Sequence, residues 1–209
     1  MLFRSPNGLQ GLGTALGFMA FYWLMARLDT TAVAVTNLMM NVSSAFYLPA
    51  MGMGLAAATL VGQALGRGDP DDAEAWGWET VRLAAYFFTV AGALVAVAPG
   101  PVLRVFTDDA QVIEAGKMAL RMVGLSQCAM AAGMVLSNVL ISAGSARFVM
   151  VVNVGFVFTL VLPTVHVACL VMGAGGVALA WLIMGLGRLA ISVAMAARFK
   201  QGRWKTSSL

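Results

Sequence analysis

Charge is the scarcest property of this 209-residue sequence. Lys and Arg together number 13, Asp and Glu number 9, and charged residues make up only 11% of the chain. A soluble domain of ordinary composition carries about 25%. Hydrophobic residues account for 60%, which is more apolar surface than a fold of this size can hide from water. The composition therefore excludes a soluble globular enzyme and a disordered chain, and it favours a helical protein that crosses a membrane several times.

Groups that carry chemistry are equally scarce. The sequence has one histidine, His166, and no HExxH, GxSxG or phosphate-loop motif. No carboxylate lies deep in a long apolar run, although intramembrane enzymes usually bring a buried acid or a histidine pair. Cys128 and Cys169 both fall inside apolar runs, which favours packing residues over a disulfide or a metal pair. We therefore expect no enzyme, cofactor or metal site, and the basic balance needs no nucleic-acid partner.

What the sequence does contain is a series of long intervals without charge. Each is at least 21 residues long, and about 20 apolar residues suffice for a helix to span a bilayer. The intervals predict an all-α membrane protein in which residues 1–209 form a single six-helix transmembrane lobe. Gly173-Ala174-Gly175-Gly176 divides the last interval. The predicted spans are 8–27, 32–65, 80–103, 116–141, 148–171 and 177–198.

The basic residues predict how these spans are oriented. With six spans, both termini share one side of the lipid bilayer. Eight Lys or Arg residues fall on that side and four fall on the other, with the mid-span Arg188 not counted. Both termini are therefore expected to be cytoplasmic, in a cell (inner or plasma) membrane. The basic tail is expected to lie on the membrane surface, with Trp204 at headgroup depth.

The second span is unusually long. Residues 30–66 carry no charge and would reach about 55 Å as a helix, which is too long for one simple crossing. Thr30 and Thr31 offer an N-cap, and Pro49 is expected to kink the helix. Beyond the proline, small residues recur every four positions, which predicts a face for close helix packing. These residues are Gly54, Ala58, Gly62 and Gly66.

Four stretches follow one another in the order and spacing of a known family. The longest, residues 49–73, has a proline, small residues, Val61-Gly62-Gln63, Leu65-Gly66 and a short acidic loop. The others are residues 105–112, residues 142–148 followed by Leu162-Pro163, and the tail 198–204. Together they resemble the C-terminal half of multidrug and toxic compound extrusion (MATE) transporters, and the resemblance covers nearly the whole chain.

The resemblance implies an architecture and a function. Family members have twelve helices in two six-helix lobes, so this chain would supply helices seven to twelve and pair with a second six-helix lobe. It would be a fragment of a longer gene product or a half-size protein. The implied activity is secondary active efflux of small-molecule drugs and organic cations by antiport of H⁺ or Na⁺. Because repeat-built transporters bind substrate between their repeats, one lobe holds half a site.

Departures from the family pattern bear on ion coupling. Sodium-coupled, NorM-type members usually carry a glutamate in helix seven and an aspartate in helix ten, at positions that correspond to Thr14 and Met130 here. The family's Gly-Asp-Thr loop reads Gly144-Ser145-Ala146. The sequence is therefore more similar to the DinF-like branch, in which the coupling acid lies in the first lobe.

Two groups of residues are candidates for a cavity lining that binds substrate. The first shares a face of the second span: Asn37, Asn41 and Ser44. Asn37 aligns with a family glutamine that resembles a substrate contact. The second shares a face of the fourth span, where flexible methionines would suit varied apolar cations: Gln127, Met130, Met134 and Asn138. The alternatives are interhelical hydrogen bonds for the asparagines and core packing for the methionines.

Two further residues are candidates for ion movement or gating. His166 could titrate near neutral pH, although a lone membrane histidine often only hydrogen-bonds a neighbour. A guanidinium in the middle of a span is costly. Arg188 therefore either takes part in transport or meets helix-end carbonyls or a water-filled crevice.

Three functions remain open from the sequence. The leading one is secondary active multidrug efflux. The second is a lipid-linked oligosaccharide flippase of the same superfamily, although such proteins tend to line their cavity with several basic residues and only Arg188 could serve here. The third is a half-lobe remnant that does not transport. An upstream reading frame that encodes a matching six-helix lobe would discriminate between them.

Overall fold

The computed structural model of this protein describes residues 6–172, 176–202 and 204. Within these ranges every regular element is a helix. In chain order the helices are α1 (Pro6–Ala26), α2 (Thr30–Gly66), α3 (Pro70–Val97), α4 (Pro99–Arg104), α5 (Ala110–Ser142), α6 (Ala146–Phe156), a π-helical turn (Val157–Val161), α7 (Leu162–Met172) and α8 (Gly176–Lys200).

Six of the helical stretches are long and apolar enough to cross a membrane. They are Gly8–Ala26, Thr30–Gly66, Pro70–Val97, Ala110–Ser142, Ala146–Val171 and Gly176–Lys200. This confirms the predicted fold class, an all-α protein with six candidate transmembrane helices. The glycine-rich break predicted before the last span falls largely on residues 173–175, outside the described residues. Three of the basic residues behind the predicted orientation also fall outside: Arg4, Arg203 and Lys205.

The third membrane helix differs most from its predicted bounds of 80–103. Helix α3 begins at Pro70 and ends at Val97, just before Pro99 starts the short helix α4. Asp69 caps α3, because its carboxylate accepts a hydrogen bond from the Asp72 amide at 3.0 Å. A proline at the first helical position gives up no helical hydrogen bond, and acidic residues in the first turn interact favourably with the helix dipole. Charged residues that suggest a loop in the sequence thus start the helix.

Helix α2 is a single 37-residue element that passes through Pro49 without ending. Its N-cap is Asp29 instead of the predicted Thr30 or Thr31. The Asp29 carboxylate accepts a hydrogen bond from the Ala32 amide at 2.6 Å. Aspartate caps as well as threonine does and adds a charge that the helix N-terminus favours.

The fifth span is irregular at its centre. Five residues, Val157–Val161, form a π-helical turn between α6 and α7. Pro163 lies two residues beyond this turn. A proline in a helix cannot donate an amide hydrogen bond and clashes with the carbonyl four residues earlier. A π-turn widens the helix locally, so it accommodates the proline without ending the span.

Helix α5 is the centre of the lobe. It packs against α2, α3 and α8. Half of the residues in its most apolar 18-residue stretch are buried, compared with 17–28% in the other five spans. One apolar cluster includes Phe21 and Trp181, whose rings meet edge to face with centroids 5.6 Å apart. A second cluster surrounds Phe88, Leu140 and Phe199. Residues of α5 belong to both clusters, so this helix joins the two ends of the lobe.

A very close backbone contact joins α3 to α5 at Gly92 and Gly124. A Cβ atom added at Gly124 would lie 2.6 Å from the Gly92 carbonyl oxygen and 3.1 Å from the Cβ of Ala96. No side chain larger than hydrogen fits this space. Small residues at such crossings let helices approach closely enough for van der Waals contact between backbones, which is a main source of helix association in membranes.

The predicted packing face of α2 is wrong at two of its four positions. A Cβ added at Gly62 or Gly66 would meet nothing within 4 Å among the described residues. A strict four-residue repeat drifts by about 40° per step around a helix, whereas alternating steps of four and three stay on one face. The buried small and apolar positions follow the alternating pattern: Ala50, Gly54, Ala57, Val61 and Ala64.

Trp204 is also placed differently from the prediction. Its side chain is 1% exposed, so it packs inside the lobe and is not exposed as a membrane-surface residue would be. The indole stacks on Phe199 with ring centroids 4.8 Å apart, and its Nε1 donates to the Phe199 carbonyl oxygen at 2.7 Å. Phe199 meets Trp78 of α3 edge to face at 5.4 Å. The aromatic residues therefore fasten the end of α8 to α3.

We expect Gly124→Ala to destabilise the lobe, because the new Cβ would collide with the Gly92 carbonyl and separate α3 from α5. Overpacking of this kind costs about 1–3 kcal/mol. The measurement is thermal unfolding of the purified protein in detergent. Gly62→Ala is the matched control, since the same change adds a methyl group in open space and raises helix propensity by about 1 kcal/mol. Equal midpoints for the two variants would contradict the packing assignment.

Candidate functional site

A partly open cleft of about 460 Å³ lies between α1, α2, α5, α6 and α8. This volume falls within the range of about 300–1,000 Å³ typical of small-molecule sites. The lining is a mixture of methionine and aliphatic side chains with carboxamides, hydroxyls and one charge. It consists of Gln10, Thr14, Tyr47, Met51, Leu55, Ala129, Met130, Gly133, Met134, Ser137, Asn138, Ile141, Asn153, Arg188 and Ile191.

Helix α5 builds the main wall of the cleft. Its lining residues lie at neighbouring positions once in each turn between Ala129 and Ile141, and such positions share a single helix face. Gly133 lies on this face, and a Cβ there would be 3.5 Å from Ser192 of α8. This is an ordinary van der Waals distance, so α8 packs against α5 here, and Arg188 lies one turn earlier on α8.

Four of the residues predicted as functional come together in this cleft: Met130, Met134, Asn138 and Arg188. The Nδ2 atom of Asn138 donates to the Met134 carbonyl oxygen at 2.9 Å, and a Cβ at Gly54 would lie only 2.7 Å from that nitrogen. The asparagine is therefore held in place by its own helix and by α2. Its part in substrate binding stays a prediction.

Thr14 and Met130 also line the same cleft. These are the two positions at which the family resemblance puts the acidic residues of NorM-type members. The Thr14 hydroxyl donates to the Gln10 carbonyl oxygen at 2.9 Å, and Met130 offers only a thioether. The side chains at both positions are neutral in this chain.

The other predicted residues lie elsewhere in the lobe. Gln127 is fully buried beside Gly92. At this point α3 crosses α5 and covers the α5 face that, further along the helix, is open to the cleft. Asn37 and Asn41 are exposed on α2, and the Asn37 carboxamide oxygen accepts a hydrogen bond from the Tyr22 hydroxyl at 2.9 Å. His166 is half-buried on α7. None of these four lines the cleft.

Sequence reasoning missed several polar lining residues, above all Gln10 and Asn153. Each lies within a predicted apolar span, which is the same signal that singled out Asn37. The Asn153 Nδ2 donates to the Val149 carbonyl oxygen at 3.0 Å, while the Gln10 Oε1 is buried without a hydrogen-bond partner among the described residues. A search for every carboxamide in a span would have found both residues.

Arg188 is the charged member of the cleft lining. Its Nη1 donates to the Ser126 hydroxyl of α5 at 3.5 Å, a distance at the upper limit for a hydrogen bond. No Asp or Glu lines the cleft as the structure describes it. The cleft therefore carries a net positive charge from this lobe.

The fold and the cleft together define a multi-span helical membrane protein with an internal pocket of small-molecule size. The MatE family model matches residues 6–165 of the sequence. The chain belongs to the multidrug and toxic compound extrusion (MATE) family of transporters.

Known members of the family are similar to this chain in sequence. The "Probable multidrug resistance protein NorM" of Thermotoga maritima is 27% identical over 165 residues, which are 78% of this chain and 35% of that protein. The protein of the same name from Brucella suis is 28% identical over 189 residues, 88% of this chain and 40% of that protein. The chain thus spans about a third to two-fifths of the length of the curated relatives that it matches.

Solved structures show the same fold. A mutant of the Vibrio cholerae MATE transporter VcmN aligns with a TM-score of 0.85 at 18% identity, over 94% of this chain and 44% of that one. A transporter of the MOP superfamily from Pyrococcus furiosus aligns with a TM-score of 0.84 at 16% identity, also over 94% and 44%. In both cases the lobe corresponds to somewhat less than half of the solved transporter.

We expect a cysteine in the cleft to be accessible to water. In a variant without Cys128 and Cys169, Met134→Cys should react with a membrane-impermeant maleimide in detergent, because Met134 lines the open cleft. Val135→Cys is the matched control, since the neighbouring Val135 is fully buried. The measurement is the labelling rate by mass shift. Equal rates at the two positions would show that the cleft is closed by packing.

Proposed function

We propose that this chain is the C-terminal six-helix lobe of a secondary active exporter of amphipathic organic compounds, cations among them. Export would be driven by antiport of H⁺ or Na⁺. The observation that carries the proposal is the cleft in a member of the MATE family: about 460 Å³, with methionine, aliphatic and carboxamide lining. A pocket of that size and mixed polarity suits a small amphipathic molecule. Methionine side chains adapt to ligands of different shapes.

A second six-helix lobe would complete the substrate site. The alignment with 44% of each solved transporter fits a chain that supplies one of two lobes, and repeat-built transporters bind substrate at the interface of their repeats. The resemblance of residues 49–73, 105–112, 142–148 and 198–204 to the family's C-terminal half supports helices seven to twelve for this lobe. As predicted from its basic residues, it would lie in the cell membrane with both termini in the cytoplasm.

Ion coupling is assigned to the partner lobe, helices one to six, as the resemblance to the DinF-like branch implies. An ion at membrane depth needs a carboxylate or several oxygen ligands. The cleft offers hydroxyl and carboxamide oxygens beside the positive charge of Arg188 and has no carboxylate in its lining. A small ion such as Na⁺ is repelled by that charge, and the described lining holds no carboxylate to bind H⁺, so this lobe is a poor site for either coupling ion.

The two other functions are less well supported. A lipid-linked oligosaccharide flippase would need several basic residues around its cavity, and Arg188 is the basic residue in the described lining. A half-lobe that does not transport would have no need of a cleft of small-molecule size. Both alternatives are separated from efflux by the transport test that follows.

Expressed alone in an efflux-deficient bacterium, the chain is expected to confer no resistance to a panel of cationic dyes, because half of the cavity is absent. Fusion to the first six-helix lobe of a family member should raise dye efflux above the vector control. Membrane levels of both proteins, measured by immunoblotting, are the control. Resistance from the chain alone would instead indicate a homodimeric half-transporter, and a folded but inactive fusion would indicate a lobe that does not transport.

Neutralising the acids of this lobe is expected to leave the ion dependence of efflux unchanged in the fused protein. Asp29 and Asp109 cap α2 and α5 through hydrogen bonds to backbone amides, so Asn is the suitable replacement because it also caps. Asp108 and Glu114 can be tested in the same way with Asn and Gln. The measurement is ion-driven efflux in proteoliposomes. Loss of ion dependence in any one folded variant would contradict the assignment of coupling to the partner lobe, helices one to six.

A further inference from the structure

Helix α8 carries an arginine halfway along its membrane span. Arg188 lies near the middle of Gly176–Lys200, and its half-buried side chain lines the cleft. A charge at this depth is costly in a bilayer. Such residues face a cavity and pair with another group or a ligand. The arginine therefore needs an explanation that packing alone does not give.

The guanidinium uses little of its bonding capacity within the described chain. It has five N–H donors, and its Nη1 reaches the Ser126 hydroxyl at 3.5 Å. That hydroxyl in turn donates to the Val123 carbonyl oxygen at 2.9 Å. The acids of the chain lie between positions 29 and 114, and none lines the cleft. The positive charge of Arg188 thus meets no carboxylate in the part of the lobe that the structure describes.

The rest of the lining divides into a polar part and an apolar part. Asn138 and Asn153 each donate one N–H to a carbonyl oxygen of their own helix. Arg188 is the strongest donor in the described lining because its N–H groups carry a positive charge. Met51, Leu55 and Met134 supply apolar surface in the same cleft. A guanidinium can bind a carboxylate or phosphate through two parallel hydrogen bonds. The chemistry that fits is an oxyanion attached to an apolar body.

We propose that the cleft binds the anionic group of an amphipathic solute, with Arg188 as its counter-ion and the methionine wall around its apolar part. The inference rests on the proposed function, because it names the part of a transported compound that this lobe recognises. It also narrows the substrate class. Compounds with a carboxylate, sulfonate or phosphate, alone or in a zwitterion, gain a contact with Arg188, whereas a compound with only positive charge contacts the methionine wall alone and binds less tightly.

The test is direct binding to this chain, without transport. The chain is placed in nanodiscs of phosphatidylcholine, and energy transfer from its tryptophans to a dansyl probe is measured. The probes are 6-(dansylamino)hexanoic acid and its methyl ester, which share the fluorophore and differ in the negative charge. Empty nanodiscs give the background for partition into lipid. We expect the acid to bind about tenfold more tightly than the ester, as charge-assisted hydrogen bonds allow.

Variants at the arginine assign the selectivity to this side chain. Arg188→Gln should remove the preference for the acid and leave binding of the ester unchanged, while Arg188→Lys should keep part of the preference because it keeps the charge without the planar fork. Arg121→Gln is the control, since Arg121 is exposed on α5 and does not line the cleft. Size-exclusion profiles and circular dichroism report whether each variant is folded.

Several outcomes would overturn the proposal. One is equal affinity of the unchanged protein for the acid and the ester, which needs no variant and so does not depend on Arg188→Gln folding. A second is displacement of the acid by phosphatidylglycerol in the nanodisc, which would assign Arg188 to a lipid headgroup. A third is loss of acid binding in the fused two-lobe protein, which would assign the guanidinium to a carboxylate of the partner lobe. Failure of dye efflux in the transport test, with acid binding intact, would count against the proposed function alone.

Discussion

The backbone contact between Gly92 and Gly124 is the constraint on which the lobe depends. It holds α5 against α3 at a distance that leaves no room for a side chain, and α5 in turn packs against α2 and α8. Between helices in a bilayer the hydrophobic effect contributes little, because lipid tails are as apolar as leucine. Close van der Waals packing therefore carries the association. The main wall of the cleft lies further along the same α5, so its position follows from this crossing.

The cleft combines two requirements that usually conflict. Its methionine and aliphatic lining can adapt to apolar molecules of different shapes, but adaptable surfaces discriminate poorly between ligands. Arg188 supplies the discrimination, because a charge in a medium of low dielectric acts more strongly than one in water. Its partner Ser126 donates elsewhere and accepts only one long bond. The cleft is thus permissive for shape and selective for the sign of charge.

The long uncharged intervals suffice to predict six spans, because hydrocarbon excludes charge along about 20 residues of helix. Uncharged intervals alone mispredict the start of α3. Asp69 caps this helix and acidic residues form its first turn, although their charge suggests a loop. The Gly62 prediction fails because a four-residue repeat drifts around the helix. Met130 and Met134 share the open face of α5, whereas Gln127 lies where α3 covers it. That difference depends on where two helices cross, which a single sequence does not contain.

The exposed face of α2 bears on the two-lobe proposal. Asn37 accepts a hydrogen bond from Tyr22, while the exposed Asn41, one turn further along α2, has no hydrogen-bond partner among the described residues. A carboxamide that faces lipid without a partner is costly, and polar residues at membrane depth face protein or a water-filled cavity. In the lobe as the structure describes it, Asn37 and Asn41 are exposed, and Tyr22 contacts Asn37 alone of the two. A second lobe beside it would turn the same asparagines into the lining of a central cavity, which agrees with their prediction as substrate contacts without requiring them to lie in the cleft. The cleft and the α2 face would then be two separate polar surfaces of one transport path, and only the cleft would carry charge from this lobe.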